Sequence, residues 1–193
     1  MERDGTPYIS PRYQKQDYLN LGLNIMSSDE DFDVAINIFI DRIEGRFLNQ
    51  IHSLSNDYNQ NGFAIMALEC LLIETFAQFV SGRDDNEGVS RQEYTNFLVN
   101  KFSCFTSQNV ANKFYSLIRC GILHQAQTKK QSALVYGKPF VVNWTDGFLR
   151  VSVDSFVYMM EQYFSEYCRD LRNPLNVSIR TNFITKMDFI CNR

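Results

Sequence analysis

The chain has 193 residues, of which 45% are apolar, 21% are charged and 14% are aromatic, and its formal net charge is −3. This length suffices for one domain with a buried core, and the slightly acidic charge argues against a protein that holds long nucleic acid by bulk positive charge. The five cysteines form no Cys-x-x-Cys pair, and two histidines complete no zinc-ligand spacing. We therefore expect no metal, no cofactor, and reduced thiols in the cytoplasm.

The N-terminal residues contain Pro7 and Pro11 but no long periodic run, so we interpret 1–28 as a loosely attached arm before a domain at 29–193. Its start has no basic region followed by an apolar run, and we expect no signal peptide. A capping box formed by Ser27 and Glu30 begins a first helix at about 29–52. Its apolar residues recur at helical spacing: Phe32, Ile36, Phe39, Ile43 and Phe47.

A second helix is predicted from Gly62 to about residue 80, after a polar break at 56–62. It is apolar on nearly all faces, which is typical of a helix at the centre of a bundle. Because Glu69 and Glu74 interrupt the apolar run, we expect a buried helix and no membrane span. A charged loop follows at 81–88, and a capping box at Ser90 begins a shorter helix that ends near residue 102.

A fourth helix is predicted at about 108–123, with Val110, Phe114, Leu117 and Gly121 on one face and the glycine helping to end it. Three short β-rich runs then predict a β-hairpin or meander at about 132–153. A fifth helix before Pro174 and a short closing helix at 179–190 complete the chain. The predicted fold class is therefore all-α, a helical bundle with a small β insertion.

The most informative segment is Arg119-Cys-Gly-Ile-Leu-His124, at the end of a late core helix. Arginine, four residues and then histidine resembles the Arg-x4–6-His motif of the HEPN superfamily, and Cys-Gly-Ile-Leu-His-Gln-Ala resembles prokaryotic members from plasmids and defence loci. The resemblance covers 29–172 and implies a HEPN-like bundle. Arg46 and His52 fit the same formula on the first helix, but we favour Arg119 and His124 because they lie beside a glycine at a helix end.

Catalytic HEPN members cleave RNA without a metal, so the resemblance implies an endoribonuclease of toxin or phage-defence type. When the ribose 2′-hydroxyl attacks the adjacent phosphorus, histidine at position 124 can act as acid or base. The guanidinium of Arg119 can hold the negative charge that develops on the phosphate. In an ideal helix the two residues lie roughly 7 Å apart along the axis and about 140° apart around it. This separation fits the family habit of pairing two motifs in a homodimer.

Two further residues bear on this site. Glu69 has apolar helical neighbours and needs a partner if it is buried. Arg119 is one candidate, since the family often has an acidic residue that steers the motif arginine, and solvent exposure or another partner is the alternative. Cys120 stands where many active members carry Asn, Asp or His, which favours a buried structural thiol and weakens the case for cleavage.

The polar residues after the motif, including Lys129 and Lys130, either attract an RNA phosphate or form a solvated loop. Trp144 and Tyr136 either stack on bases or pack in the core. The expected partners are RNA, a second copy of the chain and, for a toxin, an antitoxin protein. Two alternatives to the nuclease remain: a non-catalytic HEPN module that binds RNA, a nucleotide or a protein, and a structural helical adaptor.

Overall fold

The computed structural model describes the backbone of residues 2–3, 6–83 and 90–192, and side chains from Pro7 onward. Within these ranges the chain is mostly helical with a small three-stranded sheet, which confirms the predicted helical class. The elements in chain order are β1 (Glu2–Arg3), β2 (Thr6–Pro7), α1 (Lys15–Leu19), α2 (Asp29–Ile43), a π-helical segment (Glu44–Leu48), α3 (Asn49–Leu54), a 3₁₀ turn (Ser55–Asp57), α4 (Tyr58–Ser81), α5 (Ser90–Lys101), α6 (Gln108–Lys113), a second π-helical segment (Phe114–Arg119), α7 (Cys120–Gln125), β3 (Ser132–Val135), β4 (Val142–Thr145), β5 (Phe148–Ser152), α8 (Val153–Arg172) and α9 (Val177–Asn192).

Two compact units share the chain. The first unit contains Met1–Gln50, Gln78–Asp85 and Tyr163–Arg193, and the second unit contains Ile51–Ala77 and Asn86–Gln162. Each unit therefore combines distant parts of the sequence, because α4 and α8 each begin in the second unit and end in the first.

Aromatic packing around α2 forms the core of the first unit. The Phe39 ring lies 4.7 Å from that of Phe79 and 5.6 Å from that of Phe183, measured between centroids. The helix begins at Asp29 as predicted, but its N-cap is Ser28 and not Ser27: the Ser28 hydroxyl oxygen accepts the backbone N–H of Asp31 at 3.1 Å. The fully buried rings stabilise this helix mainly through tertiary contacts, as is usual for helices in proteins.

Residues 9–12 of the predicted N-terminal arm are packed against α2, so this part of the arm is not loosely attached. Ile9 is 2% exposed, and Asp41 accepts hydrogen bonds from the Ser10 hydroxyl at 2.6 Å and the Arg12 backbone N–H at 2.9 Å. A Cβ atom on Gly45 would lie 2.2 Å from the Pro11 ring, so only glycine permits this close approach. The division of the chain into an arm at 1–28 and a domain at 29–193 stays a prediction.

Both π-helical segments shift the buried face of their helix by one residue. The periodicity predicted Phe47 in the first stripe and Leu117 in the second, yet both are only half-buried, and the structure buries Leu48 and Ile118. A π turn closes its hydrogen bond over five residues, so it holds one residue more than an α turn. The predicted helices at 29–52 and 108–123 are therefore correct in extent but not in phase.

Helix α4 starts four residues before the predicted position, at Tyr58, because the expected polar break is a single 3₁₀ turn. By length and apolarity alone, one helical stretch within Asp29–Ser81 could cross a membrane, and half of its most apolar part is buried inside the protein. Core helices of soluble proteins meet the same criterion, so the expected lack of a membrane partner stays a prediction. The predicted loop at 81–88 lies largely outside the described residues.

The β insertion contains the predicted hairpin and a third strand that is not part of it. Strand β4 pairs antiparallel with β5, whereas β3 pairs parallel with β5, and the strand order is β3-β5-β4. The insertion is thus a mixed sheet and not a simple meander. Leu149 and Val151 of the central strand are buried, and Phe148 and Arg150 lie on the other face because side chains alternate along a strand.

Candidate functional site

Arg119 is the last residue of the second π-helical segment and forms an ion pair with Glu74 of α4. Its Nη2 lies 2.8 Å from the Glu74 Oε2, and the two side chains are 16% and 20% exposed. The other carboxylate oxygen of Glu74 accepts the hydroxyl of Ser90 at 2.6 Å. Glu74 therefore connects the first residue of α5 to the motif arginine and fixes its orientation within the second unit.

The ring of Tyr115 provides a second contact for this arginine. The Arg119 Cζ lies 5.1 Å from the ring centroid and the Arg91 Cζ lies 5.6 Å from it, so two guanidinium groups interact with one aromatic ring. Arg91 also donates to the Asn112 Oδ1 at 3.1 Å. Tyr115 therefore gives the Arg119 guanidinium a second fixed contact beside its ion pair with Glu74.

The guanidinium of Arg119 retains unused hydrogen-bonding capacity. Burial alone would lower its pKa, but the hydrogen bond and the charge of Glu74 outweigh burial and raise the pKa above its ordinary value. Its Nε is buried and has no hydrogen-bond partner among the described residues. Arg119 is therefore permanently charged and oriented, with one donor left unsatisfied.

Glu69 does not pair with Arg119. It is fully buried, and neither of its carboxyl oxygens has a hydrogen-bond partner in the part of the chain that the structure describes. Burial, followed by the charge of Glu161, raises the pKa of Glu69 well above its ordinary value, so the folded protein favours the neutral acid.

Sequence reasoning missed Glu74 as the partner of the arginine. The available signal was its setting, because Glu74 is followed by Thr75 and Gln78 whereas Glu69 has apolar neighbours on all sides. A carboxylate at the edge of an apolar face can remain half-exposed and pair with a cation. A carboxylate at the centre of that face, such as Glu69, loses its contact with water on folding.

His124 lies in the last turn of α7 with an exposed side chain. Its side chain forms no hydrogen bond or ion pair with any residue that the structure describes. Arg119 is the N-cap of α7 and has helical backbone angles, and positions five residues apart in an α-helix are separated by about 140° around its axis. One copy of the motif helix therefore does not direct both side chains at the same point.

Gly121 has a role that differs from the predicted one. The helix ends at Ala126, which adopts the left-handed conformation with φ 53°, and Gly121 lies inside α7. A Cβ on Gly121 would lie 2.6 Å from the Gln127 carbonyl oxygen, and the backbone N–H of Lys129 donates to the Leu117 carbonyl at 3.0 Å. The glycine thus allows the segment after the motif to pack back against the motif helix.

The remaining predicted residues have less specific surroundings. Lys129 is half-buried, Lys130 is exposed, and neither forms an ion pair with a described residue. Cys120 is a free, half-buried thiol, which differs from the buried structural thiol that the sequence favoured. Tyr136 and Trp144 are half-buried, with the Tyr136 ring 6.3 Å from that of Tyr58, which supports packing more than base stacking.

The competing pair of Arg46 and His52 is occupied by other contacts. The Nη2 of Arg46 donates to the Ile9 carbonyl at 2.8 Å in the first unit. The Nε2 of His52 contacts the Glu161 Oε1 in the second unit. Each of these side chains therefore has a local partner, whereas His124 has none among the described residues.

No group of three or more His, Cys, Asp or Glu side chains in the described ranges is arranged to hold a metal ion. Comparison of the chain with models of protein families, with curated proteins and with solved structures gave no match in any of the three. The chemistry of the site is therefore inferred from its own residues.

Proposed function

We propose that this protein is a metal-independent endoribonuclease of HEPN type, acting in the cytoplasm as a toxin or in phage defence, with Arg119 and His124 as its reactive pair. The observation that carries the proposal is the contrast between the two side chains. Arg119 is held by Glu74 and Tyr115, and His124 is exposed with no partner in the described chain. Arg119 is therefore suited to electrostatic stabilisation from a fixed position, and His124 is suited to proton transfer.

The reaction follows from these two environments. The 2′-hydroxyl of the ribose loses its proton and forms a bond to the adjacent phosphorus, and the bond from phosphorus to the 5′-oxygen breaks. The products are a 2′,3′-cyclic phosphate and a free 5′-hydroxyl. An exposed imidazole can accept the first proton or supply the second near neutral pH. The guanidinium stabilises the negative charge that the phosphate oxygens gain.

Glu74 acts as a positioning residue in this scheme. It accepts one N–H of the Arg119 guanidinium and leaves the other donors for a phosphate oxygen. The resemblance implies an acidic residue that steers the motif arginine, and Glu74 meets that expectation in place of Glu69. That Glu74, and not Glu69, holds the arginine supports the HEPN assignment and leaves the proposed chemistry unchanged.

A second candidate is a HEPN module that binds RNA, a nucleotide or a protein without cleaving it. The ion pair with Glu74 favours this candidate, because it neutralises Arg119 before any ligand arrives. Cys120 favours it also, since a thiol cannot supply the hydrogen bonds of Asn, Asp or His. Retained RNA affinity without cleavage by the wild-type protein would identify this candidate.

The test is an RNA-cleavage assay with excess EDTA on the wild type, His124→Ala and the control His52→Ala. We expect wild-type cleavage to persist in EDTA and His124→Ala to lose on the order of a hundredfold or more in rate. We expect His52→Ala to cleave at the wild-type rate. Equal cleavage by wild type and His124→Ala would refute the proposed site.

The arginine is tested by a conservative substitution and not by alanine. Arg119→Ala would leave the half-buried Glu74 without its ion-pair partner, so a loss of activity would be confounded by a loss of stability. Arg119→Lys keeps the charge but removes the planar set of donors. Slow cleavage with an unchanged melting temperature in Arg119→Lys would support the proposed role of Arg119. Cells that express a variant should grow better the more slowly that variant cleaves RNA.

A further inference from the structure

Two arginines in the first unit share a single hydrogen-bond acceptor. Arg42, near the end of α2, donates through Nη1 to the carbonyl oxygen of Ile9, and Arg46, in the first π-helical segment, donates through Nη2 to the same oxygen at 2.8 Å. The two guanidinium groups are therefore held side by side. Arg46 is exposed and Arg42 is half-buried, so the pair is accessible from the Arg46 side.

Neither arginine has an anionic partner in the described part of the chain. The carboxylate of Asp41 is already engaged by Ser10 and Arg12, with its Oδ1 2.6 Å from the Arg12 Nε. No carboxylate of the described residues forms an ion pair with Arg42 or Arg46. Burial, followed by the charge of Arg46, lowers the pKa of Arg42 to about 10.

The arrangement is costly for the protein alone. A half-buried charge such as that of Arg42 is normally paired with an opposite charge, and two adjacent positive charges repel each other. The Ile9 carbonyl accepts one N–H from each guanidinium, although each guanidinium has five. Several donors on two fixed cations therefore remain available in one place.

The packing of the arm holds the arginines in this arrangement. Pro11 lies against Gly45, which stands between the two arginines in the sequence, and fixes the turn that presents the Ile9 carbonyl. Ile9 itself is buried, so its carbonyl cannot move independently of the core. The guanidinium pair is thus organised before any ligand is present.

We propose that Arg42 and Arg46 form a binding site for a phosphate group. A phosphate carries up to two negative charges and has several acceptor oxygens, so it can accept hydrogen bonds from both guanidinium groups at once. The planar donor set of arginine matches this geometry better than a point charge would. The site lies in the first unit and is independent of the proposed nuclease site in the second unit.

The experiment measures thermal melting of the full chain with increasing sodium phosphate, against sodium chloride of matched ionic strength. We expect a saturable rise in melting temperature, of roughly 5–10 °C at a hundred times the Kd. Parallel titrations with adenosine monophosphate and adenosine distinguish a nucleotide phosphate from free phosphate. A larger shift with the monophosphate than with phosphate would point to a nucleotide, and an equal shift with adenosine would overturn the proposal.

Two variants separate binding from folding. Arg46→Gln removes one guanidinium and leaves the hydrogen bond from Arg42 to Ile9 in place, so we expect a folded protein without the phosphate response. Arg172→Gln is the matched control, because it removes an arginine of the same unit that is paired with Asp33 at 3.0 Å. We expect it to retain the response. No saturable shift in the wild type, or an unchanged shift in Arg46→Gln, would overturn the proposal.

Discussion

Glu69 lies at the buried end of three neighbouring titratable side chains in the second unit. His52 is 57% exposed and contacts Glu161, which is 30% exposed, and the charge of Glu161 acts on the fully buried Glu69. Ionisation of Glu69 would place a second negative charge near Glu161 at a fully buried position. The neutral acid is therefore the form that the folded protein holds.

We predict that Glu69→Met stabilises the protein at neutral pH. The pKa of Glu69 is raised in the folded state, so wild-type stability is complete below the ordinary value of 4.5 and is lost as the pH rises. The loss is about 1.4 kcal/mol per pH unit until the raised pKa is reached. Met removes this dependence, and the melting temperature of the variant should exceed that of the wild type by an amount that grows as the pH rises above 4.5.

The control for this measurement is Glu166→Met, which removes a carboxylate that is exposed on α8. We expect its melting temperature to follow that of the wild type across the same pH range. Parallel melting curves for the wild type and Glu69→Met would show that Glu69 ionises as readily in the folded protein as in the unfolded chain.

We predict that Glu74→Gln slows RNA cleavage more than it weakens RNA binding. The amide cannot form the ion pair with Arg119, and a guanidinium displaced by about 1 Å can cost up to a hundredfold in rate. The measurement is kcat and KM for the wild type, Glu74→Gln and Glu74→Asp. The aspartate keeps the charge on a shorter side chain, and we expect it to recover part of kcat. Equal changes in the melting temperatures of both variants with unchanged kcat would assign Glu74 a structural role only.

At the scale of elements, the helix extents could be predicted from the sequence but the phase of two helices could not. Apolar spacing identified both helices, yet nothing in Phe114–Arg119 distinguishes a π turn from an α turn locally. The extra residue exchanges Leu117 for Ile118 in the buried face, and this exchange places Arg119 next to that face, within reach of Glu74. Glu69 was considered as its partner for another reason, because a carboxylate among apolar neighbours needs a partner if it is buried.

The parallel pairing of β3 with β5 could not be predicted from the sequence either. Residues in β-rich runs identify strands, but the partner of Ser132–Val135 depends on where the chain between β3 and β4 turns. Local propensity carries no information on that choice between a meander and a mixed sheet.

We predict that Gly121→Ala destabilises the segment that follows the motif. The added Cβ would contact the Gln127 carbonyl at 2.6 Å, and overpacking of this kind costs about 1–3 kcal/mol. For a chain of this size the expected fall in melting temperature is roughly 2–4 °C for each kcal/mol. Amide hydrogen exchange should show faster exchange at Lys129, whose N–H is bonded to Leu117. Asn109→Ala, on an exposed position of α6, is the control and should leave both quantities unchanged.

At the scale of the whole molecule, the proposed chemistry requires two copies of the chain. Within one copy, Arg119 and His124 point about 140° apart around a regular helix. Near the arginine, α4 exposes apolar residues at helical spacing: Phe63 is 37% exposed and Leu71 is 42% exposed, and Leu71 precedes Glu74 by one turn. We take Leu71, next to the ion pair of Glu74 with Arg119, as the candidate contact between two copies.

We predict a two-fold homodimer in which this face of α4 from each copy brings the two motif segments together. Light scattering at micromolar concentration should give twice the mass of the 193-residue chain. Leu71→Glu should yield a folded monomer that no longer cleaves RNA, because like charges would meet across a two-fold axis. Val34→Glu introduces the same charge at a 45% exposed position of α2 in the first unit and should remain dimeric and active. A monomeric wild type, or a Leu71→Glu dimer with full activity, would show that the reactive pair does not form across this face.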